Sequence, residues 1–219
     1  MTIRAIIFDL GGVVLGSPLH AIAAYEREIG LPANFVNHVV ADSAPGGAWS
    51  RLERGEISME TFYTDFEADC QAAGQTLSAR TMFERMALES LPRPSMIEAI
   101  RRIRAEGYLA AALTNNWAQE ENTDEKESGP PGGDGTRALA DLFDVFVESS
   151  VEGLRKPDPR IYTLACTRLN VAPAEAVFLD DIGSNLKAAR ALGMTTIKVN
   201  TPEQALAELS AVIELKLTD

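Results

Sequence analysis

The stretch Ile3-Arg4-Ala5-Ile6-Ile7-Phe8-Asp9-Leu10-Gly11-Gly12 holds a nearly continuous apolar run that stops at an aspartate and two glycines. A run this short, apolar on successive residues rather than every second one, reads as a strand buried on both faces. The glycines that follow predict a tight turn at its end. Further along, the pattern repeats. Tyr108 to Leu113 runs into Thr114, Asp144 to Glu148 is a third candidate, Ala176 to Leu179 runs into Asp180-Asp181, and Thr195 to Val199 is a fifth.

Helical periodicity separates these runs. Met96, Ile97, Ile100 and Ile103 share one face, with Ser95 and Glu98 expected as a capping box and Gly107 as the stop. Asp158 before Pro159 predicts a helix start. Leu186, Ala189 and Leu192 precede Gly193, and Thr201, Pro202 and Gln204 are expected to cap a last helix bearing Leu206, Leu209, Val212 and Ile213. Strands alternating with helices imply an α/β, Rossmann-like three-layer fold with a parallel sheet covered on both faces. Ligands of such sheets sit at the carboxyl ends of the strands. Those ends carry Asp9, Thr114 and Asp180-Asp181.

One segment breaks the alternation. Between Ser17 and Leu91 no strand pattern occurs, only helical stripes: Phe35, Val36, Val39 and Val40; Met59, Phe62, Tyr63, Phe66 and Cys70 after Ser58 as N-cap; and Met82, Phe83 and Met86. Pro32, Gly46-Gly47 and Gly74 divide it, and Pro92-Arg93-Pro94 closes it. The chain therefore divides into a core of residues 1–15 plus 93–219 and an inserted helical unit of 16–92. The segment from Gln119 to Arg137 is acidic and rich in glycine and proline, and reads as a flexible loop.

The 219 residues carry a net charge of -12, with 46% hydrophobic and 24% charged residues. That is enough chain for a sizeable core, and an acidic surface repels nucleic acid and anionic lipid. Cys70 and Cys166 lie far apart with no zinc or disulfide spacing, and His20 and His38 are equally isolated. Arg4 and the apolar run to Leu15 resemble a secretory signal, but Asp9 in its middle argues against one. No run of about 18 apolar residues occurs. The expectation is a cytoplasmic protein without membrane or nucleic-acid partners.

Each polar strand end has an ordinary explanation. Asp9 suits a turn, Asp180 a helix cap, Lys156 an exposed surface, and Thr114-Asn115 a strand-to-loop turn. Together they suggest more. Adjacent acids facing another acid across a sheet edge would repel without a cation between them. A hard divalent ion or a lysine supplies one, and Lys156 sits in a loop stiffened by Pro157 and Pro159.

Four segments fit one pattern: Phe8-Asp9-Leu10-Gly11-Gly12-Val13-Val14, Leu113-Thr114-Asn115-Asn116, Arg155-Lys156-Pro157-Asp158-Pro159, and Phe178-Leu179-Asp180-Asp181-Ile182-Gly183. In order and spacing they resemble the motifs of the haloacid dehalogenase superfamily. Within it the chain resembles most the N-terminal phosphatase domain of soluble epoxide hydrolases and a domain of some acyl-CoA dehydrogenases. The resemblance implies a five-stranded sheet of order 5-4-1-2-3 and makes 16–92 a cap domain. It also implies a phosphatase for a small phosphate ester. Asp9 would be the nucleophile, and Thr114 and Asn115 would bind phosphoryl oxygens. Lys156 would neutralise charge on nucleophile and phosphate. Mg²⁺ would be held by Asp9, the Gly11 carbonyl and Asp181, with Asp180 supporting Lys156 or a metal-bound water.

The chain departs from the pattern at Gly11, where such phosphatases usually carry the aspartate that acts as general acid and base. Weak turnover, a proton donor on the cap or substrate, and a phosphate-binding module without turnover all remain open. So does 2-haloacid dehalogenation, although its independence of metal sits poorly with Asp180-Asp181. Trp49 and Trp117 are candidates for the pocket lining or for packing.

Overall fold

The computed structural model describes residues 2–117 and 137–217. Five parallel strands form one sheet: β1 (Ala5–Phe8), β2 (Leu109–Thr114), β3 (Val145–Glu148), β4 (Ala176–Asp180) and β5 (Thr195–Lys198). Their spatial order is β3-β2-β1-β4-β5, the expected order read from the other edge. The strands lie where the apolar runs placed them, displaced by a residue or two at the ends. The expected loop at 119–137 lies outside the described residues except for Arg137, which begins a short 3-10 turn to Leu142.

Between β1 and the next core helix come α1 (Pro18–Ile29), α2 (Phe35–Ser43), α3 (Ala48–Glu53), α4 (Met59–Ala72) and α5 (Ala79–Glu89). Then follow α6 (Pro94–Ala105), the single turn α7 (Ser149–Glu152), α8 (Pro159–Leu169), α9 (Gly183–Ala191) and α10 (Pro202–Ile213). Among the described residues no helix is long and apolar enough to cross a membrane.

The two faces of β1 sort its side chains with period two. Ile6 and Phe8 pack with Met96, Ile100 and Ile103 of α6 and Leu206, Leu209 and Ile213 of α10. Ala5 and Ile7 pack with Ile161, Tyr162 and Ala165 of α8 and Leu186 and Ala189 of α9. The result is three layers with β1 in the middle.

The expected caps are partly corrected. Ser58, Asp158 and the Thr201–Gln204 box cap α4, α8 and α10. The Ser95–Glu98 box does not form: Arg93 occupies the cap position of α6 and makes no side-chain cap bond. Pro94 is the reason. Its fixed φ suits the first helical position, which moves Ser95 inside the helix, and Glu98 instead lies 3.7 Å from Arg101. Of the apolar residues borne by α10, Leu206, Leu209 and Ile213 are buried and Val212 is exposed.

The helices α1 to α5 have a hydrophobic centre of their own. Trp49, Phe62, Phe66 and Phe83 meet there with ring centroids 5.0–5.7 Å apart. Burying that much aromatic surface outweighs the ordering of short helices that would be marginal alone. Glu26 of α1 is buried because its carboxylate accepts from Asn34 N and Val36 N at 2.9 and 2.8 Å, and so caps α2. Two chain passages join this unit to the sheet. Leu15 and Pro92 form an antiparallel bridge, and the Arg93 guanidinium donates to the Gly12 carbonyl at 2.8 Å.

Candidate active site

The parallel register sets the site. Phe8 pairs with Leu179, so Asp9 and Asp180 emerge side by side one residue later. Neighbouring parallel strands are roughly 4.8 Å apart, and two buried carboxylates at that spacing repel. Lys156 lies between them, 1% exposed, with Nζ 2.7 Å from Asp9 Oδ1 and 2.8 Å from Asp180 Oδ2. Burial alone would drive its ammonium pKa down; the charges of Asp180 and Asp9 more than offset this and hold it above the ordinary lysine value.

The three acids are not equivalent. Asp180 Oδ1 accepts from Ile182 N and Asn185 Nδ2, and Oδ2 accepts from Lys156 Nζ and Asn185 Nδ2. Both its oxygens are occupied by the protein. Asp9 Oδ1 takes Leu10 N at 2.7 Å together with Lys156, while Oδ2 has no hydrogen bond among the described residues. Among the described residues the Asp181 side chain has only a long contact, 3.4 Å, from Ser17 Oγ. Carboxylate oxygens of Asp9, Asp180 and Asp181 all lie within 4.8 Å of one another.

One ammonium thus faces three carboxylates. Burial raises the Asp9 pKa well above the ordinary value, Asp180 and Asp181 add to the rise, and Lys156 opposes it. The Asp181 pKa is raised by burial and by Asp180. The cluster is short of positive charge, and its least occupied atoms are hard oxygens. That is the donor chemistry of a divalent cation such as Mg²⁺, and the residues present fit one.

The turn after β1 has two unlike glycines. Gly12 has φ 77°, and a Cβ there would collide with the Asp181 carboxylate. Gly11 has φ -61° and ψ 128°, ordinary extended backbone. Thr114 ends β2, is 3% exposed, and has its hydroxyl 3.4 Å from Asn115 O. Asn115 is fully engaged through its side chain: Nδ2 donates to Lys156 O at 3.1 Å and Glu53 Oε2 at 3.2 Å, and Oδ1 accepts from Lys156 N at 2.8 Å. The sheet therefore brings Asp9, Thr114, Asn115, Lys156, Asp180 and Asp181 to one edge. Trp49 is a packing residue in the helical insert, with Nε1 donating to Glu53. Trp117 rests on Phe83 at 4.9 Å.

Sequence reading missed Asn185, Ser17, Glu53 and the pairing of Arg155. A polar residue in the first turn after Asp180-Asp181 is a weak local signal for Asn185. Beyond Trp49 four residues before it, nothing local marks Glu53, whose other partners lie 62 and 102 residues away.

Comparison with known proteins places this geometry. The family profile of haloacid dehalogenase-like hydrolases matches residues 3–193. Mouse acyl-CoA dehydrogenase family member 10 is 39% identical over 98% of this chain, and pig bifunctional epoxide hydrolase 2 is 32% identical over 99%. The chain spans only 19% and 40% of the lengths of those two relatives. A sesquiterpene phosphatase of Aspergillus oryzae is 25% identical, with 97% of each chain covered. Among solved structures, a predicted HAD-like family hydrolase from Porphyromonas gingivalis superposes with TM-score 0.67 and 24% identity, covering 97% of this chain and 98% of its own. A family enzyme from Bacteroides thetaiotaomicron, in complex with magnesium and inorganic phosphate, superposes with TM-score 0.57 and 19% identity, covering 90% and 93%. With an aspartate at the end of the central strand, a buried lysine against it and paired acids on the next strand, the chain belongs to the haloacid dehalogenase-like hydrolases.

Proposed function

We propose that this protein is a Mg²⁺-dependent phosphatase for a small phosphorylated metabolite, with Asp9 as nucleophile. The observation that carries the reading is the buried Lys156 ammonium bridging Asp9 and Asp180, beside Asp9 and Asp181 oxygens that the protein leaves available. The phosphatase relative and the magnesium and phosphate complex of the structural neighbour support it.

Asp9, the Gly11 carbonyl and Asp181 would hold Mg²⁺, which when bound supplies the charge that lets a carboxylate approach an anionic ester. Asp9 then attacks phosphorus. The bond from phosphorus to the ester oxygen breaks, giving an aspartyl phosphate, and the leaving oxygen takes a proton from solvent water. Water next attacks phosphorus, the bond to Asp9 breaks, and inorganic phosphate leaves. Lys156 stays protonated throughout and balances charge on carboxylate and phosphoryl oxygens. Thr114 turns its hydroxyl to a phosphoryl oxygen. Asn115 holds the Lys156 backbone, and its side chain reaches a phosphoryl oxygen only by exchanging one of its present bonds. Asp180 keeps Lys156 in place. The insert of 16–92 acts as a cap over the core of 1–15 and 93–219.

Phosphate release from acetyl phosphate and p-nitrophenyl phosphate, measured with Mg²⁺ and with EDTA, tests the proposal. Release should require the metal and vanish in Asp9→Asn. An inactive wild type across a panel of phosphate esters would remove the proposal.

A further inference from the structure

Glu53 is the last residue of α3, inside the inserted helical unit, yet its carboxylate serves the sheet edge. Oε1 accepts from Trp49 Nε1 at 3.0 Å, and Oε2 accepts from Arg155 Nε at 2.5 Å and from Asn115 Nδ2 at 3.2 Å. The group is 7% exposed. A carboxylate buried this deeply needs donors on both oxygens, and it has three, two of them from outside the insert: Asn115 at the end of β2 and Arg155 in the loop before α8.

The bonds continue inward. Asn115, held by Glu53 on one side, grips Lys156 through both its carbonyl and its N–H. Lys156 Nζ then reaches Asp9. Arg155, next to Lys156, also donates to Ser50 Oγ of α3 at 3.0 Å. Beyond α3, Gly55 brings the insert's backbone against Ser150 O, so closely that a Cβ there would collide. Thus α3 and the turn after it touch the core through Ser50, Glu53 and Gly55, and these three contacts fall on Asn115 or on 150–155.

We infer that Glu53 is a positioning residue: it fastens the docked insert to Asn115 and Arg155, and so couples insert docking to the placement of the Lys156 ammonium against Asp9. The inference rests on the reading of Asp9 and Lys156 as reacting and charge-balancing groups. Undocking of α3 takes the acceptor away from Asn115 and Arg155, and Asn115 then grips Lys156 less rigidly. Asp180 holds the Lys156 ammonium from the core side, and seating of the insert completes its placement at the nucleophile.

Hydrogen–deuterium exchange and steady-state kinetics on the full chain test this. Glu53→Gln preserves shape but turns one acceptor into a donor facing Arg155 and Asn115. Amide exchange in 113–117 and 149–157 should rise by about tenfold or more, as expected for losing hydrogen bonds to a charged group. Exchange in β1 and α10 should not change. With Mg²⁺ and p-nitrophenyl phosphate, kcat should fall by about tenfold or more while KM moves by less than about threefold, the split expected of a group acting through the transition state. A residue that only stabilised the fold would lower the melting temperature and leave kcat per folded molecule intact. If Glu53→Gln does not fold, Arg155→Lys keeps the charge but removes the Nε donor, and it should shift exchange and kcat in the same directions. Wild-type exchange in 149–157, or wild-type kcat, in the folded variant overturns the coupling. Absence of any phosphatase activity in the wild type overturns the hydrolase reading instead, and the exchange result then decides the docking contact by itself.

Discussion

Replacing Gly11 by aspartate would put a carboxylate where the family resemblance expects the general acid and base. The backbone allows it: at φ -61° and ψ 128° an L-residue is unstrained. A Cβ at Gly11 would stand 3.4 Å from Pro18 Cδ and 3.5 Å from Pro18 Cγ, ordinary contact. Filling an unstrained glycine stabilises by about 0.4–1 kcal/mol through the unfolded chain. Against this, a fourth carboxylate would join Asp9, Asp180 and Asp181. Two residues of extended chain put it about 7 Å from Asp9, where like charges cost about 2 kcal/mol at an effective dielectric of about 20. The electrostatic term is the larger, so Gly11→Asp should melt below wild type in EDTA and regain most of the loss in Mg²⁺. Wild type should favour acetyl phosphate and p-nitrophenyl phosphate, whose leaving groups need little protonation. The variant should gain most on sugar and glycerol phosphates, by up to about 10²–10⁴-fold in kcat. Phosphate release across these substrates, with Asp9→Asn in both backgrounds as the control, measures it. A folded, Mg²⁺-binding Gly11→Asp protein with no gain on alkyl phosphates would refute the reasoning and favour a phosphate-binding module.

Other expectations are as direct. Asp181→Ala should abolish Mg²⁺ binding in calorimetry, because Asp181 offers the least occupied carboxylate of the cluster; unchanged heats would remove it from the metal site. Burial pushes the Cys70 thiol up to about 12 and the Cys166 thiol up to about 11. Both should therefore resist alkylation in the native protein at neutral pH and react on unfolding, and mass spectrometry showing rapid native labelling would contradict the burial. Burial also raises the Glu53 pKa, against the pull of Arg155 and Trp49. Only between the unfolded and the raised folded value does the folded protein keep a proton there that the unfolded chain has released; above that window Glu53 is the carboxylate that Arg155 and Asn115 bind. The stabilising contribution is present below the unfolded value of about 4.3 and is lost as pH rises through the raised folded value. Wild type minus Glu53→Gln stability should consequently decline from about pH 4.3 upward, and a difference that rises instead would reverse the assignment of cause.

The sequence alone determined what depends on neighbours along the chain. Continuous apolar runs marked the strands, because residues buried on both faces of a parallel sheet leave no polar alternation. Helical stripes marked the insert, and the acids at Asp9 and Asp180-Asp181 stood out because each interrupts an apolar run at its end. The strand order rested on family resemblance, since short apolar runs do not say which neighbour each will pair with. Even a local rule failed where a stronger one intervened, as Pro94 displaced Ser95 from the cap of α6.

Tertiary structure decided the division of labour within the site. Asp180 and Asp181 are adjacent and identical in type, yet Asn185 and Ile182 N saturate one and leave the other open. Lys156 became the bridging charge only when the loop before α8 folded over the ends of β1 and β4. Glu53 met Asn115 and Arg155 across 62 and 102 residues of chain. Such pairings follow from which surfaces pack together, and packing joins residues by shape and burial without regard to their separation in sequence.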